Sequence, residues 1–293
     1  MTARCLLPPG PVSRPAVRYP GGKWRLASWI MSHFPSHDCY VEPFAGAASV
    51  LLQKPPVPYE VYNDLDGMVV NFFRVLRERP DELIRAIELT PWSREEFELA
   101  ARPSEDPLDQ ARRFYVRCYQ GHSGGGNAKW RVGWRYQLRV SSNKPAVLNW
   151  GETDHLWSIV ARLKRVQLEH DEAANVIRHF DSPATLFYVD PPYAHSTRSK
   201  WKGVMYQHEM SDEDHRSLAE LLRSVSGLVA VSGYPSALYD DLYAGWQKAQ
   251  TTAVTNFSTV KTECLWLSPR TAEALDRERG QGFQLGMFLD GAE

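Results

Sequence analysis

Apolar and polar positions along the chain change period several times, and each change predicts an element. Apolar spacing suits an amphipathic helix from Trp24 to about His33, following the turn "YPGGK". A short strand at Tyr40–Val41 comes next, then the turn "EPFAGA" and a small helix from about Ala48 to Gln53. A second strand, "YEVYN", leads into "DLDGMVVNFFRVLR", whose apolar residues recur at helical spacing. Between about Pro80 and Gly151 the rhythm breaks. Helical stretches there give way to "QGHSGGGNAKWRVGW", too rich in glycine and polar groups for a buried element. The rhythm resumes with a helix to about Leu163, strand "RVQLE", helix "EAANVIRHF" and strand "LFYV". A helix near 212–223, strand "LVAVS", helix "ALYDDLY" and a last strand "TECLWLS" follow, and the tail from Thr271 on has no periodicity. Strand, turn and helix alternating over short connections predict an α/β fold. The expected architecture is one doubly wound, Rossmann-like sheet with a mainly helical insertion. Its domain is discontinuous, 14–79 and 152–270, around an inserted segment 80–151, with a C-terminal tail 271–293.

Charge changes this picture at one place. The net charge is −1, which by itself implies no partner. From Gln110 to Gly151, however, there is no Asp or Glu, while Arg112, Arg113, Arg117, Lys129, Arg131, Arg135, Arg139 and Lys144 all fall in that window. The segment carries +8 and the remainder −9, a segregation that reads as an electrostatic footprint for a polyanion. Cys5, Cys39, Cys118 and Cys264 are scattered without a Cys-x-x-Cys pair, which speaks against a zinc ribbon or disulfide framework and suits a reducing compartment. The nine histidines include no His-Glu-x-x-His, and no metal is expected. The N-terminal stretch has too little apolar length for a secretory signal and no run approaches a membrane span, so a cytoplasmic location is expected.

The turn in "YVEPFAGAASVLL" (40–52) lets backbone approach a ligand closely and opens onto a predicted helix start. It lacks both Gly-x-Gly-x-x-Gly and a Walker lysine. Glu42 precedes the turn, where it would repel phosphate and attract a cation. Asp64 ends the next strand, where α/β nucleoside sites place an acid for ribose hydroxyls. These features suit a positively charged nucleoside such as S-adenosylmethionine. Helix capping beside ordinary strand–helix turns is an equally weighted reading of the same acids.

In "LFYVDPPYAHS" (186–196) an apolar strand ends in an acid, two prolines and a tyrosine. Proline lacks a backbone donor, and Pro191 pushes Asp190 away from helical geometry. Asp190 is therefore expected at the carboxyl end of a strand, with Tyr193 just beyond on a stiff loop. An isolated Asp-Pro pair would be only a strand-terminating turn.

Four segments taken together, "RYPGGK" (18–23), "VEPFAGAASV" (41–50), "YNDLD" (62–66) and "FYVDPPY" (187–193), resemble the Dam-like, alpha-class DNA adenine-N6 methyltransferases in content and in order. The resemblance spans roughly 18–270, and "KTECLWLSP" (261–269) is similar to that family's closing strand. It implies that Tyr19, Gly22 and Lys23 line the cofactor pocket, that Glu42, Phe44 and Gly46 form the cofactor turn, and that Asp64 binds the ribose. It also implies that Asp171 meets the cofactor's adenine edge and that Asp190, Pro191, Pro192 and Tyr193 form the catalytic loop. Two positions depart from the family pattern. Ala48 stands where glycine is common, which would place a methyl group near the cofactor, and Glu172 follows Asp171 where an aromatic or small residue is commoner.

The implied chemistry explains the loop. Adenine's amino nitrogen is a poor nucleophile because its lone pair is delocalised into the ring. Two rigid acceptors, the Asp190 carboxylate and the Pro191 carbonyl, favour its conversion to a tetrahedral centre, and Tyr193 offers a stacking face. A base inside a duplex must be flipped out to reach such a site. No metal and no covalent enzyme intermediate are needed, and a monomer suffices for one flipped base. The basic insertion then fits double-stranded DNA, with Arg112, Arg113, Arg117, Arg131, Arg135, Arg139 and Lys129 for phosphate or groove, and Asn127 and Trp130 beside the glycine run 124–126. An N4-cytosine methyltransferase uses the same clamp. A protein-glutamine methyltransferase would start its loop with Asn and need no basic insertion, and an inactive DNA-binding relative would have lost Asp190 or Tyr193. A ring-carbon cytosine enzyme would need a cysteine at a catalytic turn. A cognate restriction enzyme is compatible with the chain but leaves no mark in it.

Overall fold

The computed structural model describes residues 11–122, 133–136, 146–194, 197, 206–254 and 260–289. Among them one sheet is built from β1 (Cys39–Glu42), β2 (Tyr59–Asn63), β3 (Gln167–Glu169), β4 (Thr185–Val189), β5 (Leu228–Gly233), β6 (Gln247–Val254) and β7 (Val260–Leu267). The order is β3-β2-β1-β4-β5-β7-β6. Strands β1 to β5 are parallel, whereas β7 runs antiparallel to both β5 and β6. The chain winds from β1 outward through β2 and β3, then returns to the other side of β1 for β4 and β5. Winding therefore reverses at the β1–β4 pair, and such a reversal opens a crevice at the carboxyl ends of the strands.

Strand alternation divides the core into two layers, because successive side chains point to opposite faces. Tyr40, Tyr62, Leu186, Tyr188, Leu265 and Leu267 join one buried cluster. Val41, Val61, Phe187, Val189, Cys264 and Trp266 join the other. The first layer is covered by α2 (Gly67–Glu78), α3 (Pro80–Leu89), α5 (Pro107–Gln120) and α7 (His155–Leu163). The second is covered by α8 (Ala173–His179), α9 (Asp212–Ser224) and α10 (Ala237–Leu242). The short helices α1 (Ala27–Met31), α4 (Arg94–Leu99) and α6 (Ala146–Trp150) complete the order before the C-terminal α11 (Pro269–Leu289). The α/β expectation is met, with a sheet that is mixed rather than wholly parallel. Leu83, Ile87, Phe114 and Tyr115, which lie in the expected insertion, are buried in the same cluster as Tyr40 and Tyr62 of the sheet.

A buried ion cluster fastens this layer to the strands. Arg162 of α7 donates to Glu60 of β2 at 2.5 and 2.8 Å and to the Leu51 carbonyl at 2.8 Å, and Lys54 lies 3.3 Å from Glu60. Leu51 sits at the end of the glycine turn, so α7 braces the segment that forms the site.

Three expectations are corrected. Residues 48–53 form turns rather than a helix: Ala48 at their start takes a left-handed φ of 54°, and the Leu51 N–H bonds Glu42 instead of a carbonyl one turn back. Strand β6 was not expected: its sequence, "QKAQTTAV", is polar and largely exposed at the sheet edge, so no apolar alternation announces it. The tail is not irregular, since α11 begins at Pro269. Its Thr271 is fully buried and donates to the Val229 carbonyl at 3.0 Å, while Leu275 is buried against the core. Most other positions of its first three turns are exposed, which explains the missing stripe.

Candidate active site

The crevice at the β1–β4 reversal is a cavity of about 610 Å³. Tyr19, Gly22, Lys23, Glu42, Phe44, Gly46, Asp64, Asp190 and Pro192, named from the sequence, all line it. Asp171, Pro191 and Tyr193 do not, and Glu172, Asp66 and Tyr188 do.

Strand ends create the floor. Asn63, fully buried at the end of β2, donates from its amide to the Pro43 carbonyl at 2.9 Å and the Asp171 carbonyl at 3.0 Å, and accepts from the Asp171 N–H at 3.0 Å. One side chain thus ties the exits of β1, β2 and β3. The glycine turn is held from the same side. Asp64 accepts from the Gly46 N–H at 2.8 Å and the Asp66 N–H at 2.9 Å, and the Tyr62 hydroxyl donates to the Gly46 carbonyl at 2.9 Å. Gly46 has φ 48°, and a Cβ there would stand 3.2 Å from the Tyr19 ring, so the turn needs glycine on both counts. Ala48 is completely buried and is not part of the lining, so its methyl group does not reach the cavity as expected.

The wall is acidic. Glu42 is buried, accepting from the Tyr40 hydroxyl at 2.6 Å and the Leu51 N–H at 2.7 Å, and burial pushes its carboxyl up to about 8. Burial pushes Asp64 up to about 6, its backbone donors pulling the other way. Asp66 caps α2 through the Met68 N–H at 2.9 Å, accepts from the Tyr19 hydroxyl at 3.3 Å, and is raised by burial as well. Tyr19 is itself held far above its ordinary value by burial and by these acids. Raised carboxyls in a low-dielectric wall are destabilised anions, and a cationic ligand relieves them. A phosphate would aggravate them. Oδ1 of Asp171 accepts from the Glu172 N–H at 2.7 Å and the Asn175 amide at 3.1 Å, and of that pair Glu172 lines the cavity.

At the rim, β4 ends and Asp190 begins the proline loop. Its Oδ2 lies 2.9 Å from the Lys23 ammonium, while its Oδ1 is buried with no hydrogen-bond partner among the described residues. Lys23 is only 7 % exposed. It donates to the Gly21 carbonyl at 2.9 Å, lies 3.6 Å from Glu263 and sits 4.8 Å above the Tyr193 ring. Burial alone would lower its pKa, but the Asp190 and Glu263 carboxylates carry it above the ordinary lysine value. Tyr193 was expected to present an open face. It is 9 % exposed, its hydroxyl donates to Glu263, and Tyr234 meets it edge-on at 4.7 Å. Glu263 of β7 is the residue that sequence reasoning passed over. An acid immediately before the apolar run "CLWL", within the closing strand, is the signal that could have found it.

The described part of the basic segment differs from its charge count. Arg112 is paired with Glu96 at 2.7 Å and Asp109 at 2.8 Å, and Arg113 with Asp109 at 2.7 Å. Arg117 is 3 % exposed and burial lowers its pKa. Glu96 and Asp109 both precede the acid-free window, which is why these cations looked unopposed. Arg135 is half-buried, next to Trp134, whose ring receives Arg94 at 4.8 Å, and to Tyr136, which is 56 % exposed. Asn127, Lys129, Trp130, Arg131, Arg139 and Lys144 lie outside the described residues. Among the described residues no cluster of three or more His, Cys, Asp or Glu could hold a metal ion, and no helix is long and apolar enough to cross a membrane.

A sheet of this order, closed by an antiparallel β7 and carrying Asp-Pro-Pro-Tyr at the reversal point, is the framework of methyltransferases that act on amino nitrogens. The comparison with known proteins narrows the class. The family model of the D12 class N6 adenine-specific DNA methyltransferases matches residues 19–259, and the chain belongs to that family. It is a DNA adenine-N6 methyltransferase, which settles adenine over the N4-cytosine and protein-glutamine readings. The chain is 27 % identical to the DNA adenine methylase of Serratia marcescens over 257 residues, covering 79 % of this chain and 87 % of that protein. It is 25 % identical to the DNA adenine methylase of Escherichia coli strain K12 over 221 residues, 71 % of this chain and 75 % of that one. The Type II methyltransferase M1.LlaDCHI of Lactococcus lactis subsp. cremoris is 24 % identical over 245 residues, 78 % of this chain and 84 % of its own.

Proposed function

We propose that the methyl donor is S-adenosylmethionine and that the acceptor is the N6 amino group of an adenine flipped out of duplex DNA. The acidic wall supports the donor, since Glu42, Asp64 and Asp66 favour a cationic nucleoside. When bound, it supplies an electrophilic methyl group carried on a sulfonium. In this proposal Asp64 takes the ribose hydroxyls, Tyr19 and the turn 44–46 pack against the nucleoside, and the Asp171–Glu172 pair meets the adenine edge.

The observation that carries the reading is the buried, unpartnered Oδ1 of Asp190 beside an Oδ2 already committed to Lys23. A buried acceptor without a partner is costly, by about 1–3 kcal/mol, and an incoming N–H removes that cost. Asp190 accepts one N6 hydrogen and the Pro191 carbonyl the other, which draws the nitrogen toward tetrahedral geometry as positive charge develops. Asp190 then takes or relays the released proton. Tyr193, 9 % exposed beneath Lys23 and met edge-on by Tyr234, holds the loop rather than offering an open stacking face. Target recognition belongs to the 80–151 insertion, chiefly its part from Gly121 onward, with 14–79 and 152–270 as the catalytic portion.

Transfer of labelled methyl to unmodified duplex DNA, with nucleoside digestion and chromatography, tests this directly. Label in N6-methyladenine, reduced at least about 100-fold in Asp190→Ala, is expected. A wild-type rate in that variant would remove Asp190 from the mechanism. Asp64→Ala is expected to weaken S-adenosylmethionine binding more than DNA binding, and the reverse order would remove the ribose assignment.

A further inference from the structure

β7 approaches the proline loop from the side opposite the glycine turn. Its register with β5, Gly233 opposite Cys264, brings the next residue pair, Tyr234 and Glu263, onto the loop. The Glu263 side chain is 4 % exposed and contributes nothing to the cavity wall. It nevertheless meets two members of the reacting loop's support. It accepts from the Tyr193 hydroxyl and lies 3.6 Å from the Lys23 ammonium. Lys23 in turn lies 2.9 Å from Asp190 Oδ2. One buried ammonium is therefore shared between two carboxylates, and one carboxylate is shared between the ammonium and the tyrosine.

Sharing has a directional consequence. An ammonium attracted by Asp190 alone is free to slide across both carboxylate oxygens, and Oδ1 would then be occupied. Glu263, 3.6 Å away, and the Gly21 carbonyl, 2.9 Å away, are the further attractions that hold Lys23 on Oδ2. The Tyr193 hydroxyl bond fixes the ring under Lys23, and the Tyr234 edge, 4.7 Å away, backs it. Lys261 sits 4.3 Å over Tyr234, so the support extends along β7 itself.

We infer that Glu263 is a positioning residue for methyl transfer, which keeps Asp190 Oδ1 open to the adenine amino group by anchoring Lys23 and Tyr193. It touches neither base nor donor and acts through those two side chains. The inference rests on the assignment of Asp190 as the amino-group acceptor.

The test is single-turnover methyl transfer by the full chain, with S-adenosylmethionine and unmodified duplex DNA, in Glu263→Gln, Tyr193→Phe, their double variant and Asp190→Ala. Glutamine keeps the shape and an acceptor for Tyr193 but removes the charge that holds Lys23. Glu263→Gln is expected to slow the chemical step about 10- to 100-fold, the scale of a small misplacement of a reacting group, while KM for donor and DNA stay within about threefold. The double variant is expected to be little slower than Glu263→Gln alone, because both changes break one network. Losses that multiply independently would overturn the proposal, as would a wild-type single-turnover rate in Glu263→Gln or an effect carried by KM. Asp190→Ala separates the two levels. If it is inactive while Glu263→Gln is normal, only the positioning role falls. If it retains activity, the acceptor assignment falls and the positioning role with it. Should Glu263→Gln melt at a lower temperature, rescue decides: Glu263→Asp, which restores charge on a shorter arm, is expected to recover part of the rate, and equal rates in the two variants would overturn the role.

Discussion

Glu42 shows how far burial can move a single group. An ordinary glutamate in an unfolded chain releases its proton near 4.5, whereas in the native state burial delays release to about 8. Between those values the folded form binds more protons than the unfolded form, so stability falls as pH rises. Asp64, held near 6, adds to the lower part of the same window. In Glu42→Gln the amide oxygen can still accept from Tyr40 and Leu51, but the titration is gone. Melting temperatures measured between pH 5 and pH 8.5 are therefore expected to fall less in Glu42→Gln than in the wild type, and equal slopes would contradict the raised value. S-adenosylmethionine, bound as a cation, is expected to narrow the wild-type slope by favouring the ionised form. At this scale the identity of the acids was readable in "VEPF" and "NDLD", and their protonation was not, because it depends on what covers them.

Among the elements, strand exits rather than helices organise the site. Asn63 makes three side-chain bonds to backbone of the β1 and β3 exits, so Asn63→Ala leaves buried polar groups without partners. A loss of about 3 kcal/mol or more in denaturant unfolding is expected, with each abandoned buried group costing roughly 1–3 kcal/mol. A loss under about 1 kcal/mol would mean that water replaces the amide. The glycine turn makes a related point about element prediction. "AASVLL" has helical spacing, yet Ala48 is left-handed and Glu42 and Arg162 capture Leu51 through its N–H and its carbonyl. Local propensity lost to two long-range bonds. Strand β6 and helix α11 escaped notice for a different reason: each exposes most of its side chains, and exposure erases the periodic stripe on which such reading depends.

On the scale of the whole molecule, the charge asymmetry needs revision. A charge count treats every arginine between 110 and 151 alike, but Arg112 and Arg113 are paired and Arg117 is buried. Groups already neutralised release few counterions when DNA arrives. Arg112→Gln is therefore expected to leave the salt dependence of DNA binding unchanged, whereas Arg131→Gln and Arg135→Gln are each expected to reduce the slope by about one. A slope that drops with Arg112 and not with Arg131 or Arg135 would place the DNA on the helical part of the insertion. Cofactor affinity is expected to be the same in all three.

The sequence by itself determined the alternation of strands and helices, the acids beside the glycine turn and the Asp-Pro-Pro-Tyr loop. Each of these is written in consecutive residues whose chemistry acts locally: apolar period, proline rigidity, an acid at a strand end. The tertiary structure alone decided which arginines are already paired or buried, where the edge strand lies, and that Glu263 joins Lys23, Asp190 and Tyr193. Glu263 and Lys23 are far apart in the chain, and only the antiparallel return of β7 brings them within 3.6 Å. Contacts of that kind follow from sheet order and burial, which no short stretch of sequence contains.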